Sequence, residues 1–425
     1  MVIWHTRTQH PVGQGFFHSA ECRDTPSGSI QLRYVYDCGS KQTFSTSRDA
    51  AIDAFLADPA PLDILFLSHA HDDHVLGVPR LIDGRPPKTV VMPFLTPEER
   101  LLAFVSSAMD DITVVNDPFY VSFTVDPAQA LFDLGAQDVI QIRRGSGNAP
   151  GADGEEPRPS PPTEGAGKDT PPDPDRNWTI VGDTKGKRVV AKPPHSARRT
   201  LTTLPDTCAI AVSPGISGSK WMLGPYVDPG IVAQRSEFAK AFATITGLNI
   251  WRLRYPKPLR DIIANRLPDL QRAYRSVAGD LNLTSLCLFS GPMPPHDSVG
   301  VRYVGIGDKP TWFRLSHERI GWLATGDAEL RSTKRRKNFL DHYGALLKRV
   351  CTLTLPHHGS VENFDPELLD HIQPLFCVAS AARYNTWQHP GTYVVQDVAS
   401  AGIPLTVVTS DGRSILTEVV VTGLK

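Results

Sequence analysis

A short stretch of the sequence is rich in side chains that bind metal ions. Residues 69–74 read HAHDDH, three histidines and two aspartates within six positions. Imidazole and carboxylate groups suit zinc and also manganese, and the stretch has no cysteine that would demand a softer metal. Side chains two apart in an extended segment point to the same side, so that His69 and His71 can share one ion. Asp73 and His74, past the bend, can reach a second ion.

The element that must position this stretch is a buried strand. Residues Leu62–Leu67 read LDILFL, a continuous apolar run that is typical of a strand covered on both faces. The turn beyond such a strand is unpaired and can aim side chains at a cleft. The sequence therefore predicts a metal site at a strand end, in preference to a solvated loop or to histidines satisfied in the core.

Alternating strand and helix patterns flank the site. Gln31–Tyr36 and Thr89–Phe94 have strand patterns, and Ser45–Asp58 carries the apolar spacing of a helix. Thr96 and Pro97 predict the N-cap and the first position of another helix. Two further helices are predicted over Ser236–Thr246 and Leu259–Val277, with Pro268 as a candidate break in the second. Three strands are predicted over Thr284–Phe289, Gly321–Ala324 and Thr352–Leu355, and a closing hairpin over Leu405–Thr409 with Ser414–Val421. This alternation predicts sheets covered by helices, a layered α/β architecture.

Composition limits the classes of protein that remain. The 425 residues include 44 Lys and Arg against 45 Asp and Glu, which excludes a uniformly basic coat for nucleic acid. No apolar run approaches the roughly 20 residues of a membrane span. The six cysteines are scattered without a CxxC pair, a usage that suits a reducing compartment. We therefore expect a soluble cytoplasmic protein with no membrane partner.

One segment differs in composition from the rest of the chain. Of the 31 residues in 145–175, 14 are Gly or Pro and none is large and apolar. Such a segment buries too little surface to offset its ordering entropy. We therefore predict a disordered, flexible linker there.

The motifs around the histidine stretch resemble those of a known family. The pattern H-x-H-x-D-H at 69–74 looks like the signature of the metallo-β-lactamase fold superfamily, whose αββα sandwich of four layers holds one or two zinc-like ions between its sheets. Tyr36-Asp37-Cys38-Gly39 resembles the family's early turn, in which the aspartate is structural and orients the histidine loop. Thr325-Gly326-Asp327-Ala328 resembles a later strand end, whose aspartate bridges the two metals.

A narrower similarity is to the metallo-β-lactamase-like domain of bacterial DNA-uptake competence proteins. The motifs that carry it are V-G-Q-G at 12–15, Asn282 to Ser285, P-H-H-G-S at 356–360, and Asn385 with His389-Pro390. The similarity implies a sandwich whose halves, 1–95 and 279–425, are separated by a large insertion or cap over 96–278, which includes the linker.

The resemblance implies a role for each ligand-type residue. His69 and His71 would hold metal one, Asp73 and His74 would hold metal two, and Asp327 would bridge them. Two divalent ions are therefore the expected cofactors, with zinc favoured and manganese as the alternative. Most of the superfamily adds a third histidine to metal one, and neither His195 nor His296 is fixed in that role by the sequence.

The remaining candidate residues have open roles. The last ligand of metal two could be His389 or one of the pair His357 and His358. By chain order we favour His389, which leaves His357 or His358 to contact a substrate phosphate or to protonate the leaving group. Asp72 lies outside the ligand pattern and is predicted to support catalysis, with a solvent-exposed position as the alternative.

Local charge indicates a class of substrate. Five of the seven residues in 331–337 are basic, and we predict that Lys334, Arg335 and Arg336 bind phosphate, although a solvated helix face has the same pattern. A second stretch, Trp251–Arg260, interleaves aromatic and basic residues. Two ions would supply hydroxide near neutral pH and neutralise charge on a displaced oxygen.

We therefore expect a metallohydrolase, a phosphodiesterase or nuclease that acts on DNA or RNA. The alternatives are a hydrolase of small phosphodiesters or of lactone or acyl bonds, and, from another class, a non-catalytic module that binds a partner. The insertion could also dock a regulatory protein.

Overall fold

The computed structural model describes residues 3–157, 177–185, 187–192, 199–212, 220–228, 232–277, 284–294, 300–307, 311–317, 319–384 and 387–422. Five positions or segments singled out in the sequence lie outside these residues: 158–175 of the predicted linker, His195, Asn282-Leu283, His296 and Asn385.

The strands in chain order are β1 Trp4–Gln9, β2 Gly15–Arg23, β3 Ile30–Ser40, β4 Ile64–Phe66, β5 Thr89–Pro93, β6 Asp138–Arg143, β7 Trp178–Gly182, β8 Arg188–Lys192, β9 Arg199–Pro205, β10 Cys208–Val212, β11 Trp221–Asp228, β12 Ser285–Pro292, β13 Gly300–Ile306, β14 Thr311–His317, β15 Gly321–Ala324, β16 Val350–Thr354, β17 Phe376–Ser380, β18 Leu405–Val408 and β19 Leu416–Thr422.

The α-helices are α1 Ser45–Leu56, α2 Asp72–Val75, α3 Val78–Gly84, α4 Pro97–Asp110, α5 Pro118–Val125, α6 Pro127–Leu134, α7 Val232–Thr246, α8 Pro256–Asn265, α9 Leu267–Arg275, α10 Thr333–Tyr343, α11 Glu367–Ile372 and α12 Thr392–Ser400. Short 3₁₀ turns cover Gln42–Phe44, Ile112–Asn116, Ile250–Arg254, Gly344–Arg349, Pro356–Gly359 and Gly412–Ser414.

The described strands form two sheets. One has the order β14-β13-β19-β1-β2-β3-β4-β5-β6-β9-β8, and the other has the order β18-β17-β16-β15-β12-β11-β10-β7. A core of apolar side chains lies between the sheets and includes Tyr34, Phe66, Trp221 and Trp322. Helices α1 and α3–α9 pack on the outer face of the first sheet, and α10–α12 pack on the second. This is the αββα sandwich of four layers that the sequence predicts.

Most predicted elements are present with bounds shifted by a few residues. The helix predicted after Thr96 is α4, and it begins with a reciprocal cap: the Glu99 backbone donates to Thr96 Oγ1, and the Thr96 backbone donates to the Glu99 carboxylate. The long helix predicted over Leu259–Val277 is broken into α8 and α9, and Pro268 lies in the first turn of α9. A proline there lacks only an N–H group that a first turn leaves unused.

The predicted closing hairpin is wrong. β18 pairs with β17 in the second sheet, whereas β19 lies between β1 and β13 in the first. In the chain between β18 and β19, the side chain of Asp411 accepts a hydrogen bond from the Arg413 backbone and caps a 3₁₀ turn. The chain therefore passes from one sheet to the other at the place where a two-residue turn was expected.

The stretch 96–278, expected as an insertion, contributes to both sheets. Its strands β6, β8 and β9 extend the first sheet, and β7, β10 and β11 extend the second. The first part of the predicted linker, 145–157, packs against this framework. The backbone of Ala149 donates to the carbonyl of His342, and that of Ala345 donates to the carbonyl of Ala152. Backbone hydrogen bonds thus order a segment that has little apolar surface to bury.

A buried charge network ties the last described strand to its neighbours. Glu418 on β19 accepts hydrogen bonds from Arg7 on β1 and from Arg302 on β13. The hydroxyl of Thr352, on β16 of the other sheet, donates to the same carboxylate at 2.8 Å. Because an unpaired buried charge is costly, each of these strands stabilises the position of the others.

The fold brings the ends of several strands to one edge. β3, β4, β5 and β6 run parallel in the first sheet, and β15, β16 and β17 run parallel in the second. The Leu286 backbone, at the start of β12, donates to the carbonyl of Ser68 beyond β4, so that the two sheets meet at this edge. Carboxyl ends of parallel strands are where open α/β sheets place their sites.

Within the described ranges, none of the helices combines the length and apolar character that a membrane crossing requires. The six cysteines are buried with free thiols.

Two buried histidines make the stability of the sandwich sensitive to pH. His5 stacks on Trp221 and His18 stacks on Trp322, with ring centroids 4.3 and 3.9 Å apart. Among the described residues, neither ring finds a hydrogen-bond partner. Burial, with Arg7 as a further cause, holds the pKa of both histidines well below its usual value. The folded state therefore keeps both rings neutral.

We expect the free energy of unfolding to fall as the pH drops below about 6.5. The unfolded chain then binds protons that the folded chain does not bind. Each ring thereby lowers the free energy of unfolding by about 1.4 kcal/mol per pH unit. Urea unfolding at pH 7.5, 6.5 and 5.5 measures this slope. His18→Phe should remove the contribution of one ring to this slope. His371→Asn, on the surface, should leave the slope unchanged. An unchanged slope in His18→Phe would contradict this account.

Candidate metal centre

The carboxylate of Asp37 anchors the histidine stretch. At the end of β3 it accepts hydrogen bonds from the backbone and the hydroxyl of Ser68, both at 2.6 Å, and from Nδ1 of His74 at 2.8 Å. Asp37 has a φ of 57°, in the left-handed region that aspartate tolerates better than most residues. A residue held in this region by its surroundings is often part of a functional site.

Gly39 allows the metal-binding turn to approach β3. A Cβ atom at this position would lie 2.5 Å from the backbone of His74. Glycine is therefore required for the close contact between the end of β3 and the short helix α2, which carries Asp73 and His74.

The side chains of the stretch converge with residues from the second sheet. Three groups of donor atoms, each within 4.8 Å of one another, could hold a metal ion: His69 with His71 and Asp73, His69 with His74 and Asp327, and Asp73 with His74 and His358. These groups share members and are almost entirely buried, so they form one continuous cluster.

Asp327 joins the histidine stretch from the second sheet. Its Oδ2 is 3.2 Å from Nε2 of His69, and its Oδ1 is 3.5 Å from Nε2 of His74. Each carboxylate oxygen thus lies near a different histidine of the stretch. The position is held from the second sheet, where the hydroxyl of Ser285 accepts from the Asp327 backbone.

The hydrogen bonding of the cluster fits a bound cation. Nε2 of His69, His71, His74 and His358 and Oδ1 of Asp327 are buried, and none has a hydrogen-bond partner in the part of the chain that is described. The opposite nitrogens are occupied. Nδ1 of His74 donates to Asp37, that of His358 donates to the carbonyl of Ser380, and that of His69 lies 2.8 Å from the Ser68 hydroxyl. Metal-binding histidines are commonly oriented in this way.

The charges of the cluster favour a cation as well. Burial alone would lower the pKa of His74, but the carboxylates of Asp327 and Asp37 outweigh it and raise that pKa above its usual value. Burial would raise the pKa of Asp73, but the Lys41 ammonium outweighs it and holds the pKa well below the usual range. Both carboxylates of the cluster are therefore anionic near neutral pH, since the imidazoles around Asp327 lower its pKa in the same way.

A strained turn aims two histidines at this cluster. His357 and His358, directly after β16, have φ values of 48° and 57°. Gly359 follows, where a Cβ atom would lie 2.6 Å from Pro390. As a result, Nε2 of His358 lies 3.4 Å from Asp73, and Nε2 of His357 lies 3.5 Å from Asp327. His357 is the more open of the two, with 27% of its side chain exposed.

The structure places His389 at the rim of the cluster. Its ring centroid is 5.8 Å from that of His357 and 6.4 Å from that of His358, and it belongs to none of the three donor groups. Burial, with the neighbouring imidazoles as a further cause, lowers the pKa of His389 to about 3. His358, and not the favoured His389, therefore completes the group that contains Asp73 and His74.

Asp72 is buried and points away from the cluster. Its Oδ1 accepts from the ammonium of Lys41 at 2.8 Å and from the hydroxyl of Ser107 at 2.6 Å. Any effect of Asp72 on the cluster is therefore transmitted by Lys41 and Ser107.

The cations predicted to bind phosphate have different surroundings. Arg335 pairs with Asp228 and Glu329, and the buried Arg336 pairs with Asp365 and Glu367. Lys334 is exposed and has no ion pair with the described residues. In the second basic stretch, Trp251 and Tyr255 are 57% and 64% exposed.

Two residues near the site were not singled out in the sequence. Lys41 follows β3, and its ammonium lies among three carboxylates. Asn363 accepts a hydrogen bond from Nδ1 of His357 and donates to the carbonyl of Asp327. Neither residue belongs to a motif, so no sequence signal points to them apart from their closeness to Asp37 and to His357-His358.

Comparison with known proteins agrees with this geometry. Residues 32–202 match the model of the metallo-beta-lactamase superfamily. The matched span contains Asp37 and the histidine stretch, whereas Asp327 and His358 lie beyond it. Among curated proteins, none matched the chain. The metallo-β-lactamase match and the donor cluster together indicate a metal-dependent hydrolase. The narrower similarity to competence proteins stays a prediction.

Asp37→Asn tests the anchoring carboxylate. An amide has one accepting oxygen where the carboxylate has two, so its NH₂ group must face either the Ser68 backbone N–H or the two donors that share Oδ2, the Ser68 hydroxyl and Nδ1 of His74. We expect zinc affinity to fall by about 10–100-fold, as measured by competition with a chromophoric chelator. Asp133→Asn, at an exposed position on α6, is the matched control. Equal affinities in the two variants would refute an anchoring role.

A second pair of variants distinguishes the two candidate ligands of the second ion. His358→Ala should bind one zinc ion fewer per chain than the unmodified protein, because it removes a donor from the group with Asp73 and His74. His389→Ala should keep the full number of ions. Metal content is measured by inductively coupled plasma mass spectrometry after dialysis. The opposite result would identify His389 as the ligand, as chain order favours.

Proposed function

We propose that this protein is a phosphodiesterase that uses two divalent ions, zinc or manganese, to hydrolyse nucleic acid. The observation that carries the proposal is Asp327, whose two carboxylate oxygens lie 3.2 Å from Nε2 of His69 and 3.5 Å from Nε2 of His74, the candidate ligands of different ions. His69 and His71 would hold the first ion, and Asp73, His74 and His358 would hold the second. When bound, such a pair supplies a hydroxide nucleophile and neutralises charge on the reacting phosphate.

The protein's part in this reaction begins with orientation. Asp37 and Ser68 fix the rings of His74 and His69, so that both Nε2 lone pairs point into the cluster. Ser380 does the same for His358 from the second sheet. Because these contacts exist before substrate binds, little reorganisation is needed during the reaction.

His357 is the residue we propose to protonate the leaving oxygen. Its Nδ1 is held by Asn363, which leaves Nε2 at the open side of the cluster, 3.5 Å from Asp327. A histidine that is partly exposed and within reach of the reacting group can act as a general acid. His389 has a pKa lowered to about 3 and is therefore neutral, so it can accept a hydrogen bond there but has no proton to give as an imidazolium.

An aromatic side chain borders the same opening. The ring of Trp387 lies 6.1 Å from that of His389, and it is partly exposed. Bases of a single strand stack on such rings without regard to sequence. Trp387, with the exposed Lys334, supports a polynucleotide as the substrate.

A second candidate is a hydrolase of small phosphodiesters, or of lactone or acyl bonds. The observation that favours it is the pairing of Arg335 and Arg336 with carboxylates of the chain, which leaves fewer cations for a long polyanion. A non-catalytic module is disfavoured, since the cluster offers three groups of donor atoms that could hold a metal ion.

A cleavage assay tests these functions. The protein is incubated with linear, circular and single-stranded DNA, with RNA and with bis-p-nitrophenyl phosphate, in Zn²⁺ or Mn²⁺. We expect cleavage of nucleic acid, lost in the double variant His71→Ala/Asp73→Ala. Turnover of the small diester alone would support the second candidate. No turnover and no bound metal would contradict both.

Lys334→Ser measures the contribution of the exposed cation. If Lys334 contacts phosphate, the salt dependence of nucleic-acid binding should fall by about one unit of slope. Lys337→Ser, on the same helix but paired with Asp341, is the control.

A further inference from the structure

Lys41 is a buried cation at the edge of the proposed metal centre. Its side chain is 4% exposed, and its ammonium lies 2.8 Å from Asp72, 3.3 Å from Asp110 and 4.0 Å from Asp73. The rings of Trp387 and Tyr384 lie 5.5 and 5.9 Å away. With so little exposure, Lys41 cannot contact a substrate directly, so any role must act through these neighbours.

The contacts of Asp73 divide between the cluster and Lys41. Oδ2 of Asp73 lies 3.4 Å from Nε2 of His358, inside the donor group. Oδ1 is the oxygen that faces the ammonium of Lys41. The two oxygens of this carboxylate thus have different partners, and the cation faces the one that is turned away from His358.

The other contact of Lys41 is fixed from outside the site. Asp72 accepts from the hydroxyl of Ser107 on α4. The hydroxyl of Tyr120 on α5 lies 2.9 Å from Ser107 Oγ and 3.0 Å from the carbonyl oxygen of Ala70, in the histidine stretch itself, so that its single hydrogen is shared between these two acceptors. Asp72 therefore gives Lys41 a firm position relative to the helical layer.

We infer that Lys41 is a positioning residue for Asp73. Its ammonium keeps one oxygen of the Asp73 carboxylate directed at the second ion. This inference rests on the two-ion site proposed above. Without the ammonium, Oδ1 of Asp73 loses its cationic partner, and the adjacent carboxylates of Asp72 and Asp73 repel each other. The carboxylate is then free to turn away from His74 and His358.

The sign of the change in affinity makes the inference testable. Removal of a cation close to a metal site would, by Coulomb's law alone, tighten the binding of a divalent ion. Loss of orientation would weaken it. We expect orientation to dominate, so that Lys41→Met binds the second Zn²⁺ ion about 10–100-fold more weakly, with the first ion unaffected.

Two further variants separate this role from simple stabilisation. Asp110→Asn removes a partner of Lys41 that has no contact with the donor groups, and it should leave both affinities unchanged. Lys41→Met/Asp72→Asn removes the buried pair together, which should recover part of the melting temperature lost in Lys41→Met, because Asp72 is no longer a buried carboxylate without its nearest cation. It should not restore the affinity for the second ion.

The measurements are Zn²⁺ content by mass spectrometry, chelator competition and thermal unfolding of the full chain. A tighter or unchanged second site in Lys41→Met would overturn the inference, and so would recovery of that affinity in the double variant. An unmodified protein that binds no Zn²⁺ or Mn²⁺ would overturn the metal centre itself. If the unmodified protein binds two ions and Lys41→Met binds both with the same affinities, only the role of Lys41 is overturned.

Discussion

The carboxylate of Asp37 accepts three hydrogen bonds, and through them the end of β3 holds the histidine stretch. Two of its donors belong to Ser68, which precedes the first histidine, and the third belongs to His74, the last. Both ends of the stretch are therefore fixed to one buried anion. The three hydrogen bonds keep these donors in place. The directions of the ligand atoms in the first sheet follow from this one group.

The second sheet completes the centre by the same principle. Asp327 is held by Ser285, and His358 is held by the carbonyl of Ser380, so that each donor is fixed on the side away from the cluster. Within the described part of the chain, Oδ1 of Asp327 and Nε2 of His358 have no hydrogen-bond partner, which is unfavourable for buried polar atoms unless a further group binds there. The buried atoms at this edge of the sandwich are therefore suited to a bound cation. The left-handed backbone at His357 and His358 belongs to the same arrangement.

The sequence allowed prediction of the fold class and of the contiguous part of the site. Residues 69–74 could be recognised because ligand type and strand-end position coincide in a local pattern, whereas Asp327 was predicted from the resemblance of residues 325–328 to a family motif. Chain order favours His389 over His358 as the last ligand, but each histidine follows a strand of the second sheet, and only packing decides which one reaches Asp73. Lys41 could not be found because a single lysine has no pattern. The partners of Arg335 and Arg336 were equally hidden, since Asp228 lies more than 100 residues away along the chain. The predicted hairpin failed for a related reason: its turn residues do not reveal whether the next strand stays in the same sheet.

The pairing of β1 with β19 has a consequence for how the chain acquires its structure. Arg7 and Glu418, which share a buried ion pair, are 411 residues apart in sequence. During synthesis the strands β1 to β6 emerge long before β19, so that β1 is an unprotected sheet edge and Arg7 a buried cation without its anion. Exposed edges of this kind invite pairing with other chains, and contacts of such long range form slowly. The first sheet therefore keeps an open edge at β1 until β19 has been synthesised and pairs with it.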